Sequence, residues 1–333
     1  MQRTAWLFLP LLLLGCRSTQ PVAVSLPERL PGPPACLLPW YGGWIIGSGN
    51  MLWWIRGNRP SQRWVLPASV RTATVDAKET LWLGTEAGLM RLDAPNASPE
   101  RVPLPALNRF PAVSALSLDK QHRLWVGTER YGVFAQTDTS WHPVLAVAPV
   151  YALSTTADGT VWVGSGIGLF RQTTRGWQIY SEEGTGNHGL PDNLVENLIP
   201  LPTGLWVIMS ESISFFPIDT TAQPVEFAYL GHPGNYIYDA IDLPNGKYLL
   251  ATEEGLVLLR ELPRFEAHTG LQELRVLEHA LAHLLSPQML GLPKVQFTRL
   301  YRKKQMLYLA GPTGLYRVPL KKLQSHTVAA AGH

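Results

Sequence analysis

One short phrase returns along this chain: an aromatic-rich strand ending in glycine, followed by a tight turn. It reads LWLGTEAGLMRL from Leu81, LWVGTERYGVFA from Leu124 and VWVGSGIGLFRQ from Val161. Looser copies are LWVIMSESISFF from Leu205, YLLATEEGLVLL from Tyr248 and LYLAGPTGLYRV from Leu307, and an earlier one, WIIGSGNMLWWI, starts at Trp44. The fourth position of each copy falls at Gly47, Gly84, Gly127, Gly164, Ile208, Ala251 and Ala310, giving steps of 37, 43, 37, 44, 43 and 59 residues. Self-similarity at this period is the mark of a propeller or a solenoid.

The third unit shows the plan. Ala112–Leu118 reads as a short apolar strand, Asp119–His122 as a polar turn and Leu124–Thr128 as a second strand. Val133–Gln136 and Trp141–Leu145 follow as third and fourth strands, so hairpins join four antiparallel strands into one propeller blade. The strand runs are apolar throughout instead of alternating, as expected of sheets covered on both faces. The expectation is an all-β, seven-bladed β-propeller with four-stranded antiparallel blades over residues 36–322, followed by a tail at 323–333.

Individual positions then acquire reasons. Trp82, Trp125, Trp162 and Trp206 share one register, taken by Ile45, Leu249 and Tyr308 in the other copies, where a large side chain fills the wedge between blades. Gly84, Gly127 and Gly164 allow close backbone approach. Gly88, Gly132, Gly168, Gly255 and Gly314 suit a hairpin residue at positive φ. Trp64, Trp141 and Trp177 form a second aromatic class opening fourth strands. Apolar residues recur at helical spacing in Leu271–Leu285, which predicts a short helical insertion. A ring must also close without a long exposed edge. Val22–Leu26 and the tail Gln324–Ala329 are the two segments able to supply the missing last strand.

The N-terminus reads as a targeting segment. Arg3 precedes an apolar run, Trp6–Leu14, too short to span a bilayer as a helix. Leu13-Leu14-Gly15-Cys16 resembles the bacterial lipobox, which implies a lipoprotein signal peptide at 1–15 and lipidation of Cys16. Residues 16–35 hold Pro21, Pro27, Pro31, Pro33 and Pro34 and read as a spacer. The chain is then anchored to a membrane by lipid. Because Arg17 follows the cysteine, where Asp would favour the inner membrane in enteric bacteria, the expected place is the outer membrane, facing the periplasm. Cys36 has no partner for a disulfide and reads as a small buried hydrophobe. A net charge of +3 with no long Lys/Arg run gives no case for nucleic acid.

The repeats resemble the two-component-regulator propeller repeat of bacterial sensor proteins. His188-Gly189-Leu190-Pro191-Asp192-Asn193-Leu194-Val195-Glu196-Asn197-Leu198 matches its first half, and the phrases from Leu81, Leu124 and Val161 match its second. The resemblance covers roughly residues 43–320 and implies a periplasmic ligand-sensing propeller. No spanning helix, kinase or DNA-binding segment is read after the propeller, so direct signalling across a membrane is not expected. The motif is a scaffold and assigns no catalytic residue.

Segments entering each first strand should ring the mouth of the central channel, where loops on a rigid disc gather binding residues. They supply Arg71, Arg109, Tyr151, Asn193, Tyr236 and Tyr238 as ligand-binding candidates, a mixture suited to a sugar, a peptide or a small carboxylate. Glu86, Glu129, Glu211 and Glu253 recur after second strands and would lie on one face, read mainly as solvated turns. His279 and His283 are four apart, but two ligands make a poor metal site. The GTGNHG run at 184–189 lacks the helix a dinucleotide loop needs. No cofactor, metal or catalytic motif is expected. The first functional reading is a binding or scaffold module for an unidentified protein or small molecule. The alternative is a hydrolase or lyase over the channel, with His188 or His232 acting beside Glu196 or Asp239.

Overall fold

In the computed structural model, each copy of the phrase is the second strand of a four-stranded antiparallel sheet, and there are seven such sheets. The structure describes residues 22–26, 28–104, 110–137, 140–182, 190, 192–209, 212–218, 225–228, 236–259, 282–285 and 287–323. Blades 1 to 6 take chain order from first to fourth strand and cover 36–65, 70–102, 113–145, 150–180, 195–228 and 237–285. The first strands of neighbouring blades touch one another, so they line the axis and the fourth strands form the rim. Blade 3 follows the expected plan, with strands Val113–Leu118, Leu124–Thr128, Val133–Thr137 and Ser140–Leu145.

Blade 7 closes the ring. Its first three strands are Arg299–Lys303, Met306–Gly311 and Gly314–Pro319, and its fourth is Val22–Ser25 from the N-terminal end. Val22 lies opposite Arg317 and Ser25 opposite Gly314, antiparallel. The propeller therefore takes in part of the stretch expected to be a spacer. Val24 and Leu26 join Leu37, Ile46, Ile55 and Leu315 in one buried cluster that bridges blades 7 and 1.

That cluster is one of seven, and each straddles one pair of adjacent blades. Stability lies between sheets, which is why both faces of each central strand are apolar. The second strands of blades 2, 3 and 4 are buried at every position. Trp82, Trp125, Trp162 and Trp206 are all buried there, removing ~150–250 Å² each from water.

The indole N–H of the first three has a designated acceptor six residues upstream. Trp82 Nε1 donates to Asp76 Oδ2 at 2.9 Å, Trp125 to Asp119 Oδ2 at 3.0 Å and Trp162 to Thr156 Oγ1 at 3.1 Å. The same carboxylates tie the first turn of the blade. Asp76 Oδ1 accepts from the amides of Lys78 and Thr80, and Asp119 Oδ1 from those of Gln121 and Arg123. One aspartate thus sets both the turn and the wedge residue.

The marker glycines have a steric reason. A Cβ on Gly84 would stand 2.8 Å from Val113 Cγ1, on Gly127 2.6 Å from Val150 Cγ1, and on Gly164 2.6 Å from Val195 Cγ1. Each of these valines opens the first strand of the next blade, so the glycine is the seat for its neighbour.

Two expectations need correction. The predicted helix over 271–285 does not reach its end, because Ala282–Leu285 is the fourth strand of blade 6, paired with Leu256–Leu259. That third strand is buried along its length, and without the pairing its backbone would have no partner on the outer side. Residues 271–281, with His279, lie outside the described residues. Trp141 and Trp177 are second in their fourth strands, but Trp64 is second from the end of Arg59–Val65 and does not open it.

Candidate functional site: the channel mouth

The first strands of blades 2 to 6 share one irregularity. In blade 2, Val70 lies opposite Thr85 and Thr72 opposite Gly84, which leaves Arg71 as an extra residue. The same bulge isolates Ser114, Tyr151, Glu196 and Tyr238 in blades 3 to 6. A bulge re-aims one side chain and breaks the ladder locally. Repeated five times around an axis, it delivers five side chains to one end of the channel. The next level down holds Thr72, Ala115, Ala152, Asn197 and Asp239. Blades 7 and 1 have no bulge there, and place Arg299 opposite Ala310 and Cys36 opposite Gly47 at this deeper level.

These groups enclose a cavity of ≈ 200 Å³, lined by Arg71, Tyr151, Glu196, Tyr236, Tyr238 and Arg299 among others. Arg71 is committed to the rim, with ion pairs to Glu129 at 2.6 Å and Glu86 at 3.2 Å. Two of the expected acidic rim residues are thereby neutralised. Ser114 Oγ donates to the Val150 carbonyl of the next blade at 2.5 Å and is likewise occupied.

The side of the mouth formed by blades 5 to 7 is different. Arg299 bridges the two blades beside its own: Nε donates to the Ala35 carbonyl at 2.8 Å and one NH group to the Tyr238 and Thr298 carbonyls. The Tyr238 carbonyl also accepts from Asn197 Nδ2 at 3.2 Å. Asp239 is buried beside this guanidinium. Burial pushes its carboxyl up to about 6, against the pull of Arg299 and of the Leu300 and Ala240 amides that bond its two oxygens. Glu196 is raised too, by desolvation and then by Asp192, and its Oε2 is buried with no hydrogen-bond partner among the described residues. Tyr236 and Tyr238 meet edge to face with centroids 5.2 Å apart. Burial, followed by the charge of Glu196, pushes the Tyr236 hydroxyl to about 12. The Tyr238 hydroxyl is held by Gln296 at 3.0 Å. Tyr151 remains 42% exposed, standing free at the rim.

Of the six expected mouth residues, Arg71, Tyr151, Tyr236 and Tyr238 line this cavity. Asn193 does not, because its Oδ1 accepts the Glu182 amide at 2.8 Å and braces a loop. Arg109 lies outside the described residues, as do His188, His232 and Glu211, so the proposed acid–base pairs of a catalytic channel are not described. Sequence reasoning missed Arg299, Asn197 and Ser114 as mouth residues. A β-branched residue two positions before the partner of the marker residue in blades 2 to 6 (Val70, Val113, Val150, Val195 and Ile237) was the available signal for the bulges. Cys36 is buried, and desolvation raises its thiol to about 11, so it stays protonated and inert at neutral pH. Among the described residues no three His, Cys, Asp or Glu side chains gather as a metal site, and no helix is long and apolar enough to cross a membrane.

No protein-family model matches the chain, and no curated protein matches it. Solved structures do. The extracellular domain of a hybrid two-component system from B. thetaiotaomicron superposes with a TM-score of 0.66 at 16% identity, over 90% of this chain and 39% of that one. The chain thus spans about two fifths of that domain's length. Virginiamycin B lyase from Staphylococcus aureus gives a TM-score of 0.62 at 12% identity, over 90% of this chain and 98% of that one. PorZ, a surface component of the type-IX secretion system of Porphyromonas gingivalis, gives 0.60 at 16% identity over 88% and 48%. At such identities the likeness is one of fold, and it defines the class: a seven-bladed propeller shared by sensors, an enzyme and a secretion component.

Proposed function

We propose that the protein is a lipid-anchored propeller of the bacterial cell envelope, a sensor-like module that binds a ligand or protein partner at the channel mouth without catalysis. One observation carries this reading: five blades spend the same bulge on aiming a side chain at one cavity, although blades 1 and 7 pair their first strands without one. The mouth combines aromatic faces at Tyr151, Tyr236 and Tyr238 with charged groups at Glu196 and Arg299, a composition that selects a polar ligand with an apolar part. The likeness to extracellular sensor domains and the lipobox-like run ending at Cys16 support an envelope location, with the outer membrane as the proposed place.

The test is a thermal-shift screen of the purified protein against small peptides, sugars and carboxylates, backed by crosslinking in native membranes and mass spectrometry. Compounds or partners that bind the wild type should lose ~10-fold or more in affinity in Tyr151→Ala and Glu196→Gln. Binding that both variants leave intact overturns the mouth as the site. Mass analysis of the mature N-terminus should show a lipid on Cys16.

A further inference from the structure

The first described strand runs from the far face of the disc toward the mouth face. The mouth face carries the starts of the first strands, the turns between second and third strands, and therefore Gly314 of blade 7. Ser25 pairs with Gly314 and Val22 with Arg317, so the chain runs toward the mouth face from residue 22 to residue 25. It continues there: the Leu26 and Leu30 amides bond the Thr313 and Pro312 carbonyls, and the Gly32 amide bonds Ser48 Oγ. Val22 is thus the end of this strand that lies toward the far face. Only five residues separate Val22 from Cys16, a reach of about 20 Å when fully extended.

Among the described residues that far face is basic. It is built from the turns after first strands and after third strands. Exposed there are Arg59, Lys78, Lys120, Arg175, Lys303 and Lys304, from blades 1, 2, 3, 4 and 7. None of the six makes an ion pair among the described residues. Glu79 is exposed on the same face, but most of the acids there are occupied: Asp93 and Glu100 pair with Arg91, and Asp242 with Arg302. Asp119 is buried in its turn, and Asp158 accepts from Thr156 and Thr160. The mouth face carries Glu86 and Glu129, both paired with Arg71, together with Glu253 and the exposed Arg130. Among the described residues the far face thus presents six exposed cations without an ion pair.

We infer that the far face lies on an anionic phospholipid bilayer and that the channel mouth points away from the membrane. Surface Lys and Arg within a Debye length of anionic headgroups each add to membrane affinity, and spread over five blades they resist tilting of the disc. A basic face adds an electrostatic attraction to anionic headgroups beside the hydrophobic anchoring of a lipid group. The orientation rests on the lipid-anchor reading, but the affinity of the face for anionic lipid does not.

The experiment uses a soluble form beginning at Arg17, which keeps every strand from Val22 to Pro319, so the ring stays closed. It is mixed with vesicles of neutral phosphatidylcholine, or of the same lipid with about a quarter phosphatidylglycerol, at low and moderate salt. The protein should sediment with the anionic vesicles only, and salt should release it. The quadruple variant Lys78→Gln, Lys120→Gln, Lys303→Gln, Lys304→Gln should bind at least ~10-fold more weakly. Arg130→Gln, on the mouth face, should bind as wild type. Equal binding to neutral vesicles, or equal loss in Arg130→Gln, overturns the proposal. Orientation is read on the lipidated protein in the same anionic vesicles, with a fluorophore at Thr174→Cys or Tyr131→Cys and a soluble quencher. Shielding at 174 alone supports the assignment, and shielding at 131 or at both overturns the orientation. A protein that fails to carry lipid at Cys16 yet sediments with anionic vesicles refutes the anchor and leaves the basic face standing.

Discussion

Blades 2 to 4 and blades 5 to 7 are the same architecture carried out with different residues. In the first set the marker is always glycine, the wedge is always Trp, and the indole has an Asp or Thr acceptor six residues earlier. At the deeper channel level this set presents Thr72, Ala115 and Ala152. In the second set the markers are Ile208, Ala251 and Ala310, the wedge drifts from Trp206 to Leu249 and Tyr308, and the deeper level holds Asn197, Asp239 and Arg299. Where the repeat is regular the residues serve packing. Where it decays, buried charge and amide groups appear at the axis. A repeat protein can keep a ring closed with its conventional blades and spend the others on a site, because stability is held in separate interfaces between neighbours.

The largest test of that division is truncation of a regular wedge against truncation of the mouth. Trp125 is buried and hydrogen-bonded to Asp119, so Trp125→Ala should cost about 3–5 kcal/mol in urea unfolding. Tyr151→Ala, at a half-exposed ring, should stay within about 0.5 kcal/mol. Comparable costs would mean that the mouth is part of the scaffold.

The two sets also differ in how their aspartates titrate. Burial alone would raise Asp119, but hydrogen bonds from Trp125 and from the Arg123 amide and side chain outweigh it and hold the carboxyl below its ordinary range. Its contribution is present at neutral pH and is lost as pH falls below ~4. Asp239 is raised to about 6, so its effect has the opposite sign. The stability it supports is full below the unfolded value near 4 and disappears as pH rises through 6, an effect of up to about 3 kcal/mol. The melting temperature should therefore rise on acidification from pH 7 to 5. Asp239→Asn should flatten that rise, and Asp119→Asn should flatten the fall at lower pH. A wild-type profile level between pH 5 and 7 would show that Arg299 fully compensates the buried charge.

The regular blades were legible in the sequence because their determinants are local. Apolar runs, polar turns and a glycine at positive φ lie within a dozen residues of one another, and Gly88, Gly132 and Gly168 have φ of 116°, 77° and 123°. Ring closure was legible only as a choice, since Val22–Leu26 and the C-terminal tail both offered a strand and only the pairing with Gly314–Pro319 decides. The site was half legible. Loops entering first strands were the right place to look, but the five bulged residues share no chemistry, and Arg299 enters the channel without a bulge. Asn193 was misplaced because its amide braces the chain. Ala282–Leu285 failed as helix because leucines spaced for a helix face also complete a sheet when a buried strand edge is waiting for them.

The smallest effect separates the two sets most directly. If the marker glycine is a seat for the next blade, adding one methyl should matter only where the seat is tight. A Cβ on Gly164 would meet Val195 Cγ1 at 2.6 Å and the Val195 carbonyl at 3.0 Å, and a backbone oxygen cannot rotate away. Gly164→Ala should then cost about 1–3 kcal/mol through overpacking. Ala251 already carries that methyl and is fully buried, so blade 7 has adjusted to it. Ala251→Gly should lose only about 0.5–1 kcal/mol, from backbone entropy and a missing contact. A loss of stability in both variants would show that drift from the repeat was accommodated blade by blade. Stabilisation by Gly164→Ala would instead mean that the blades of the regular half can separate by a few tenths of an ångström, and the glycine would then owe its place to chain conformation and not to its neighbour.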